Sequence, residues 1–251
     1  MAKDRDIIIA CDFKSADETI KFLDRLTRVR DEVISCDDIG IGAGRPFVKI
    51  GMEAFYACGP DLIRKLKERG HKVFLDLKLH DIPNTVKKSM TVIGEYGVDM
   101  VNVHAAGGIE MMKAAKEGLM LGAARLADKP KLIAVTQLTS TDEATLRNEL
   151  LIDRPMNEVV REYALNAKKA GLDGVVCSAF EAADIHAACG DDFLTVTPGI
   201  RFEENSADDQ KRVMTPAKAK EAGSDYIVVG RPITAAEKPI EAYNRCKEEF
   251  L

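Results

Sequence analysis

The segment Val73-Phe74-Leu75-Asp76-Leu77-Lys78-Leu79-His80-Asp81-Ile82-Pro83-Asn84-Thr85 reads as a strand that ends in charge and hands over to a helix. Val73, Leu75, Leu77 and Leu79 alternate with Phe74, Asp76, Lys78 and His80, and a strand's period of two sets Asp76 and Lys78 on one face. Ordinary core does not take an Asp and a Lys side by side, so these charges mark a candidate reaction site. Asp81 falls just past the strand end. Pro83 suits the first turn of a helix, where its missing N–H leaves no bond unmade. The segment is one strand-to-helix unit with its polar groups at the strand's C-terminal mouth.

The same unit recurs along the chain. Apolar strands are predicted near residues 6–12, 47–51, 72–79, 99–104, 131–138, 173–178, 193–198 and 225–230. Amphipathic runs such as 60–69, 108–121, 156–170 and 216–222 separate them, which implies parallel strands joined by right-handed crossovers. Eight such units close into a (βα)8 TIM barrel, an α/β fold of ~250 residues. The chain has 251, so residues 1–251 are predicted to form a single domain. An open doubly wound sheet would alternate in the same way, yet no G-x-G-x-x-G follows the first strand. Two connections are long. Residues 29–45 join a helix to a strand and are expected at the barrel's bottom, away from chemistry. Residues 201–214 follow the seventh strand on the catalytic rim and are expected to form a mobile active-site loop.

Composition narrows the function. With 46% hydrophobic and 31% charged residues the chain can bury a sizeable core, and a net charge of -5 without a long basic run argues against nucleic acid or a membrane surface as the partner. A small-molecule ligand fits better. No apolar stretch approaches the ~18 residues needed to span a bilayer. The first residues lead straight into Ile7-Ile8-Ile9, which is too short for a signal sequence. Cys11, Cys36, Cys58, Cys177, Cys189 and Cys246 form no C-x-x-C pair and read as reduced thiols, so a cytoplasmic protein is expected.

Parity extends the charged face to neighbouring strands. Ile8, Ala10 and Asp12 share one face of the first strand, and Phe47 and Lys49 one face of the second. In a closed barrel Asp12, Lys49, Asp76 and Lys78 then meet near the top with signs alternating, so that each helps keep the next ionised. A self-satisfied ion-pair network is the plainer alternative, but desolvation often cancels the attraction in buried pairs, and four such residues exceed what packing needs. Thr197-Pro198-Gly199-Ile200-Arg201 after the seventh strand and Gly230-Arg231-Pro232 after the eighth occupy the usual phosphate corner of this barrel. Their glycines allow close backbone approach and their Arg forks match phosphate oxygens. Gln210 on the long loop can fold over such a ligand. His80 and His104 lack a spaced metal motif and read as satisfied polar residues. Thr139 and Ser140, taken to end the fifth strand, fit a ligand contact or a cap equally well.

Asp12, Lys49, the D-x-K-x-x-D-I-P-N-T string of residues 76–85, Leu138-Thr139-Ser140, the T-P-G-I-R of residues 197–201, Gln210 and the V-V-G-R-P-I-T of residues 228–234 occur together and in order. In this the chain closely resembles the bacterial-type orotidine 5'-phosphate decarboxylase family, from Asp6 to Pro239. The resemblance implies decarboxylation of orotidine 5'-monophosphate to UMP and CO2, the last step of de novo pyrimidine nucleotide synthesis, with no metal or organic cofactor. It makes Lys78 the proton donor to C6, sets Asp76 beside the departing carboxylate, and has Lys49 and Asp81 complete the catalytic network. It implies a homodimer with shared active sites, in which Asp81, Ile82 and Thr85 serve the neighbouring subunit's substrate. Asp12 and Lys49 would hold the ribose, Thr139 the pyrimidine, and Arg201, Gly230 and Arg231 the phosphate, with Gln210 bridging phosphate and base. The 29–45 stretch is longer than the family usually has. Two rivals remain. Metal-dependent relatives on the same barrel, such as ketogulonate-phosphate decarboxylase or hexulose-phosphate synthase, share D-x-K-x-x-D but carry an acidic Mg2+ ligand where this chain has the repelling cation of Lys49. A non-catalytic phosphate-ligand sensor is the other, and the intact Lys78 argues against it.

Overall fold

The computed structural model describes residues 5–27, 45–205 and 214–251. In chain order these form β1 (Asp6–Ala10), α1 (Ala16–Thr27), β2 (Phe47–Gly51), α2 (Met52–Cys58), α3 (Pro60–Glu68), β3 (Val73–Leu79), α4 (Pro83–Glu95), β4 (Met100–His104), α5 (Gly108–Gly122), β5 (Lys131–Val135), α6 (Glu143–Asn148), α7 (Met156–Lys169), β6 (Gly174–Val176), α8 (Ala182–Cys189), β7 (Leu194–Thr197), α9 (Pro216–Glu221), β8 (Tyr226–Val229), α10 (Arg231–Thr234) and α11 (Pro239–Phe250). All eight strands are parallel and pair in sequence order, and β8 closes back onto β1. The chain is thus a (βα)8 barrel. Gln210, the body of the 201–214 loop and the 29–45 stretch up to residue 44 lie outside the described residues.

Period-two alternation builds two cores. Ile8, Phe47, Phe74, Met100, Ile133, Val196, Tyr226 and Val228 fill the barrel interior, with Phe47 and Tyr226 meeting edge to face at 6.3 Å. Their strand neighbours Ile7, Ile9, Val48, Ile50, Val73, Leu75 and Val101 point outward into the larger core shared with the helices. That inward layer supports the charged residues standing above it at the C-terminal mouth. No helix among the described residues is long and apolar enough to cross a membrane, and the five cysteines described are free.

The opposite end, the barrel floor, repeats one device three times. Gly97-Val98-Asp99, Gly171-Leu172-Asp173 and Gly223-Ser224-Asp225 each lead into an even-numbered strand. Each glycine is left-handed, at φ 72, 81 and 89, where a side chain would be strained. Each Asp then accepts from a backbone N–H at the start of the preceding strand: Val73 to Asp99 at 2.7 Å, Leu132 to Asp173 at 2.7 Å, Thr195 to Asp225 at 2.8 Å. A basic side chain completes each one, Lys67, Lys116 or His186. The device joins β3 to β4, β5 to β6 and β7 to β8.

Several strands are shorter than their apolar runs. β1 stops at Ala10, two residues before Asp12. β5 stops at Val135, so Thr139 and Ser140 do not end a strand but sit in the loop beyond it, where Thr136 turns its hydroxyl onto the Val176 carbonyl at 2.9 Å. Burial ends with pairing in this run: Thr136 is buried, whereas Leu138 beyond it is 42% exposed.

Candidate active site

The barrel brings Asp12, Lys49, Asp76 and Lys78 into one chain of alternating charge. Lys49 Nζ lies 2.9 Å from Asp12 Oδ1 and 3.3 Å from Asp76 Oδ2, and Lys78 Nζ lies 2.7 Å from Asp76 Oδ1. Lys49 and Asp76 in the middle are buried, whereas the Asp12 and Lys78 side chains at the ends are 52% and 25% exposed. Gly51 makes room for the first pair, since a Cβ there would come 2.8 Å from Asp12 Oδ1 and 3.2 Å from Lys49 Nζ.

Burial alone would neutralise these groups. It acts to raise the Asp76 carboxyl, but the ammoniums of Lys49 and Lys78, with hydrogen bonds from Lys78 and Asn102, outweigh it and hold Asp76 below its ordinary range. Burial likewise acts to lower Lys49, and the carboxylates of Asp76 and Asp12 overcome it and raise its pKa. The centre of the chain is therefore ionised at neutral pH. Cys11, just inside Asp12, is pushed up to about 12 by burial and that neighbouring carboxylate, which makes it an inert thiol.

Asp76 and Lys78 meet, but not through an uninterrupted ladder. The β3–β4 register runs Phe74 to Met100 and Leu75 to Val101, then resumes only at Leu79 to Val103, so β3 carries extra residues in a bulge. Lys78 sits there at φ 52, in left-handed space. Asn102, fully buried on β4, donates from Nδ2 to Asp76 Oδ1 at 2.7 Å and accepts at Oδ1 from the Lys78 backbone N–H at 2.8 Å. Sequence reading missed Asn102, although an amide inside Met100-Val101-Asn102-Val103, sharing parity with His104, was the available signal. His104 and His80 stack at 5.8 Å, tilted by 41°. Burial, then the neighbouring His80 and Lys78, lower the His104 pKa, so its ring is neutral. Among the described residues no group of three or more His, Cys, Asp and Glu could hold a metal ion.

The remaining residues lie around this centre. Asp81, Ile82 and Thr85 are exposed at the start of α4, where Asp81 Oδ1 accepts from the Ile82 N–H at 2.6 Å; none joins the four charges within this chain. Thr139 is half-buried in the β5 loop. On the β7 side Gly199 is left-handed at φ 83 and Arg201 is buried, its Nη1 donating to the Ile200 carbonyl at 3.0 Å. The ends of the 201–214 connection are tied together, since Arg201 N donates to Met214 O at 3.0 Å and Met214 N to Gly199 O at 3.3 Å. Gly230 lies against β1, where a Cβ on it would stand 3.6 Å from Ala10 Cβ, and Arg231 opens α10 with its side chain exposed. The Arg231-bearing mouth of β8 thus adjoins the strand that leads to Asp12, and the Arg201-bearing mouth of β7 lies next to it.

The chain as a whole is similar to known proteins. An orotidine 5'-phosphate decarboxylase of Bacillus caldolyticus is 54% identical over 244 residues, covering 97% of this chain and 93% of the relative. One from Enterococcus faecalis is 53% identical over 243 residues, covering 97% of each. The crystal structure of orotidine 5'-phosphate decarboxylase from Lactobacillus acidophilus superposes with a TM-score of 0.83 at 44% identity, covering 98% of this chain and 99% of that one. A family model described as orotidine 5'-phosphate decarboxylase / HUMPS matches residues 39–246, and with relatives this similar over nearly its whole length the chain belongs to that family.

Proposed function

We propose that the protein decarboxylates orotidine 5'-monophosphate to UMP and CO2, the last step of de novo pyrimidine nucleotide synthesis. The observation that carries this reading is the chain of alternating acid and base Asp12–Lys49–Asp76–Lys78, whose last member reaches the mouth. Cleavage of the bond from C6 to its carboxylate leaves the electron pair on C6 as a vinylic carbanion that no π system delocalises. A fixed ammonium is the direct remedy. Lys78 stabilises the carbanion and gives it a proton, and the resulting amine regains one from solvent. Asp76 borders the departing carboxylate and holds Lys78 in line, while Lys49 and Asp12 hold the ribose. Thr139 contacts the pyrimidine, Arg201, Gly230 and Arg231 bind the phosphate, and Gln210 bridges phosphate and base.

The family also includes chemistry of another kind, and Lys49 favours the metal-free reading. Its ammonium already bridges the Asp12 and Asp76 carboxylates, so a divalent cation there would have to displace it. Loss of orotidine 5'-monophosphate absorbance after dialysis against EDTA tests both points at once. Undiminished turnover is expected; activity that vanishes and returns with Mg2+ would support the metal-dependent alternative, and no turnover at all would refute the reaction.

A dimer with shared sites accounts for Asp81, Ile82 and Thr85 standing apart from the charges. Ile82, 66% exposed, and Met52 and Tyr56 on the neighbouring unit give the same rim an apolar surface suited to a second copy. Mixing refolded Lys78→Ala and Asp81→Ala subunits should then restore activity, because one of the two sites in each heterodimer carries neither lesion. Heterodimers no more active than the parents would exclude the shared site.

Phosphate binding should depend on charge. Arg231→Ala is expected to lower kcat/KM for the phosphorylated substrate by ~1.5–3 kcal/mol, the range for hydrogen bonds to charged groups. Orotidine without phosphate should be nearly indifferent, and equal damage to both would remove Arg231 from the phosphate site.

A further inference from the structure

We infer that Asn102 is a positioning residue that sets the backbone conformation and the aim of Lys78; the inference rests on the proposed reaction for its meaning but on hydrogen bonds for its content. One amide closes a ring. The Lys78 backbone N–H donates to Asn102 Oδ1 at 2.8 Å, Asn102 Nδ2 donates to Asp76 Oδ1 at 2.7 Å, and that same oxygen accepts from Lys78 Nζ at 2.7 Å. Both ends of Lys78 are thereby referred to one buried side chain. The amide can be oriented only one way, because a flip would set its NH2 against the Lys78 N–H and its oxygen against the Asp76 carboxylate.

The backbone explains why the amide is needed. In a regular parallel ladder the residues between Leu75 and Leu79 would pair with β4, but the register shift interrupts that pairing. Among the described residues Lys78 and Leu151 alone are left-handed without being glycine, and Leu151 lies in an exposed loop. Lys78 adopts that conformation at the end of an interior strand, where its N–H finds an acceptor in the Asn102 side chain. Asn102 therefore stands in for the missing ladder partner, and couples the twist that lifts Lys78 toward the mouth to the carboxylate that holds its ammonium. Misplacement of a reacting group by about 1 Å can cost ~10²-fold in rate.

Three variants test this: Asn102→Leu, of the same branched shape without polar atoms, Asn102→Ala, and Asn102→Asp. In the leucine and alanine variants kcat should fall about 10²-fold, with KM and product affinity close to wild type because the phosphate contacts are elsewhere. A crystal structure of Asn102→Leu should find Lys78 out of left-handed space and its Nζ away from Asp76. The aspartate variant gives a readout that simple loss of packing would not move. Its protonated carboxyl still accepts from the Lys78 N–H and can donate to Asp76. Activity should therefore recover at low pH and fall again as that proton is lost. The groups facing the position are Asp76 and Lys78 on β3, Lys49 behind Asp76, and His104 two residues on; its β5 partner Ile133 is apolar. Burial and the facing Asp76 raise the introduced carboxyl against the two ammoniums, so the new alkaline limb is absent from wild type.

A leucine variant with kcat within about threefold of wild type, with Lys78 still left-handed and bound to Asp76, or an aspartate variant with the flat profile of the alanine variant would overturn the inference. Should Asn102→Leu not fold, Asn102→Asp at high pH carries the crystallographic comparison as well. Wild-type turnover in the same assay reads the proposed reaction separately: its absence would count against decarboxylation, while the crystal structures would still decide what Asn102 does.

Discussion

Lys78→Ala should lose at least ~10²- to 10⁴-fold in turnover of orotidine 5'-monophosphate, the usual worth of a general acid, and more once the fixed positive charge is also gone. The fold should survive. Asp76 keeps the ammonium of Lys49 at 3.3 Å and the amide of Asn102 at 2.7 Å, so its carboxylate is not stranded. A companion variant separates chemistry from strain. Lys78 is left-handed, which costs an L-residue roughly 1–2 kcal/mol, whereas the extra freedom of a glycine in the unfolded chain costs only ~0.4–1 kcal/mol. Lys78→Gly should therefore melt above Lys78→Ala while being equally inactive. Initial rates from ultraviolet absorbance, with thermal melts of both variants, measure this. More than about a tenth of wild-type turnover in either would remove Lys78 from the proton-transfer step.

Asp76→Asn should damage stability and catalysis together. It leaves the ammoniums of Lys49 and Lys78 without the carboxylate between them, and breaking a buried pair on one side costs roughly 3–5 kcal/mol. The pH dependence follows from the shifts. The Asp76 pKa is lowered in the folded protein, so its contribution is complete above the unfolded value of ~3.9 and is lost as pH falls through the folded one. The Lys49 pKa is raised, so its contribution is complete below the unfolded ~10.4 and is lost as pH rises beyond its folded value. The gap in melting temperature between wild type and Asp76→Asn should be widest between about pH 4 and pH 10 and should close on acidification. A gap independent of pH down to the acid limit would mean that packing, not charge, holds Asp76 in place.

The barrel was legible because each strand carried its own evidence: apolar alternation, a following amphipathic run, and Pro or Gly at the handover, as at Pro83, where α4 begins. The charged centre was legible for the same reason, since Lys49 and Asp76 sit inward on regular strand. Lys78 was read correctly as Asp76's neighbour by a rule that assumes an unbroken ladder, yet the contact is made across a bulge that alternation cannot reveal. A bulge depends on which partner atoms are available, and here the deciding atom belongs to Asn102, 24 residues further on. Thr139 lies past the strand because pairing in β5 stops at Val135, while Leu138, which prolongs the apolar pattern in the sequence, is 42% exposed. The floor motifs escaped notice since a single Asp before a strand resembles ordinary loop polarity until its acceptor role is seen.

Those floor motifs divide the work of the chain in a way the mouth does not. Three strand pairs are each fastened at the end remote from substrate by an Asp that takes its backbone donor from within the pair and its basic partner from the helix leading into it. Damage to one such Asp is therefore expected to be felt first within its own strand pair, at the end of the barrel away from the charged residues. The joint between β1 and β2 is built otherwise, with the Asp6 carboxylate turned to the N–H of Ile7 on its own strand. At the other end of this joint the chain sets Asp12 against Lys49. The β1–β2 pair, which lacks this fastening at the floor, is thus tied at its other end by the Asp12–Lys49 contact.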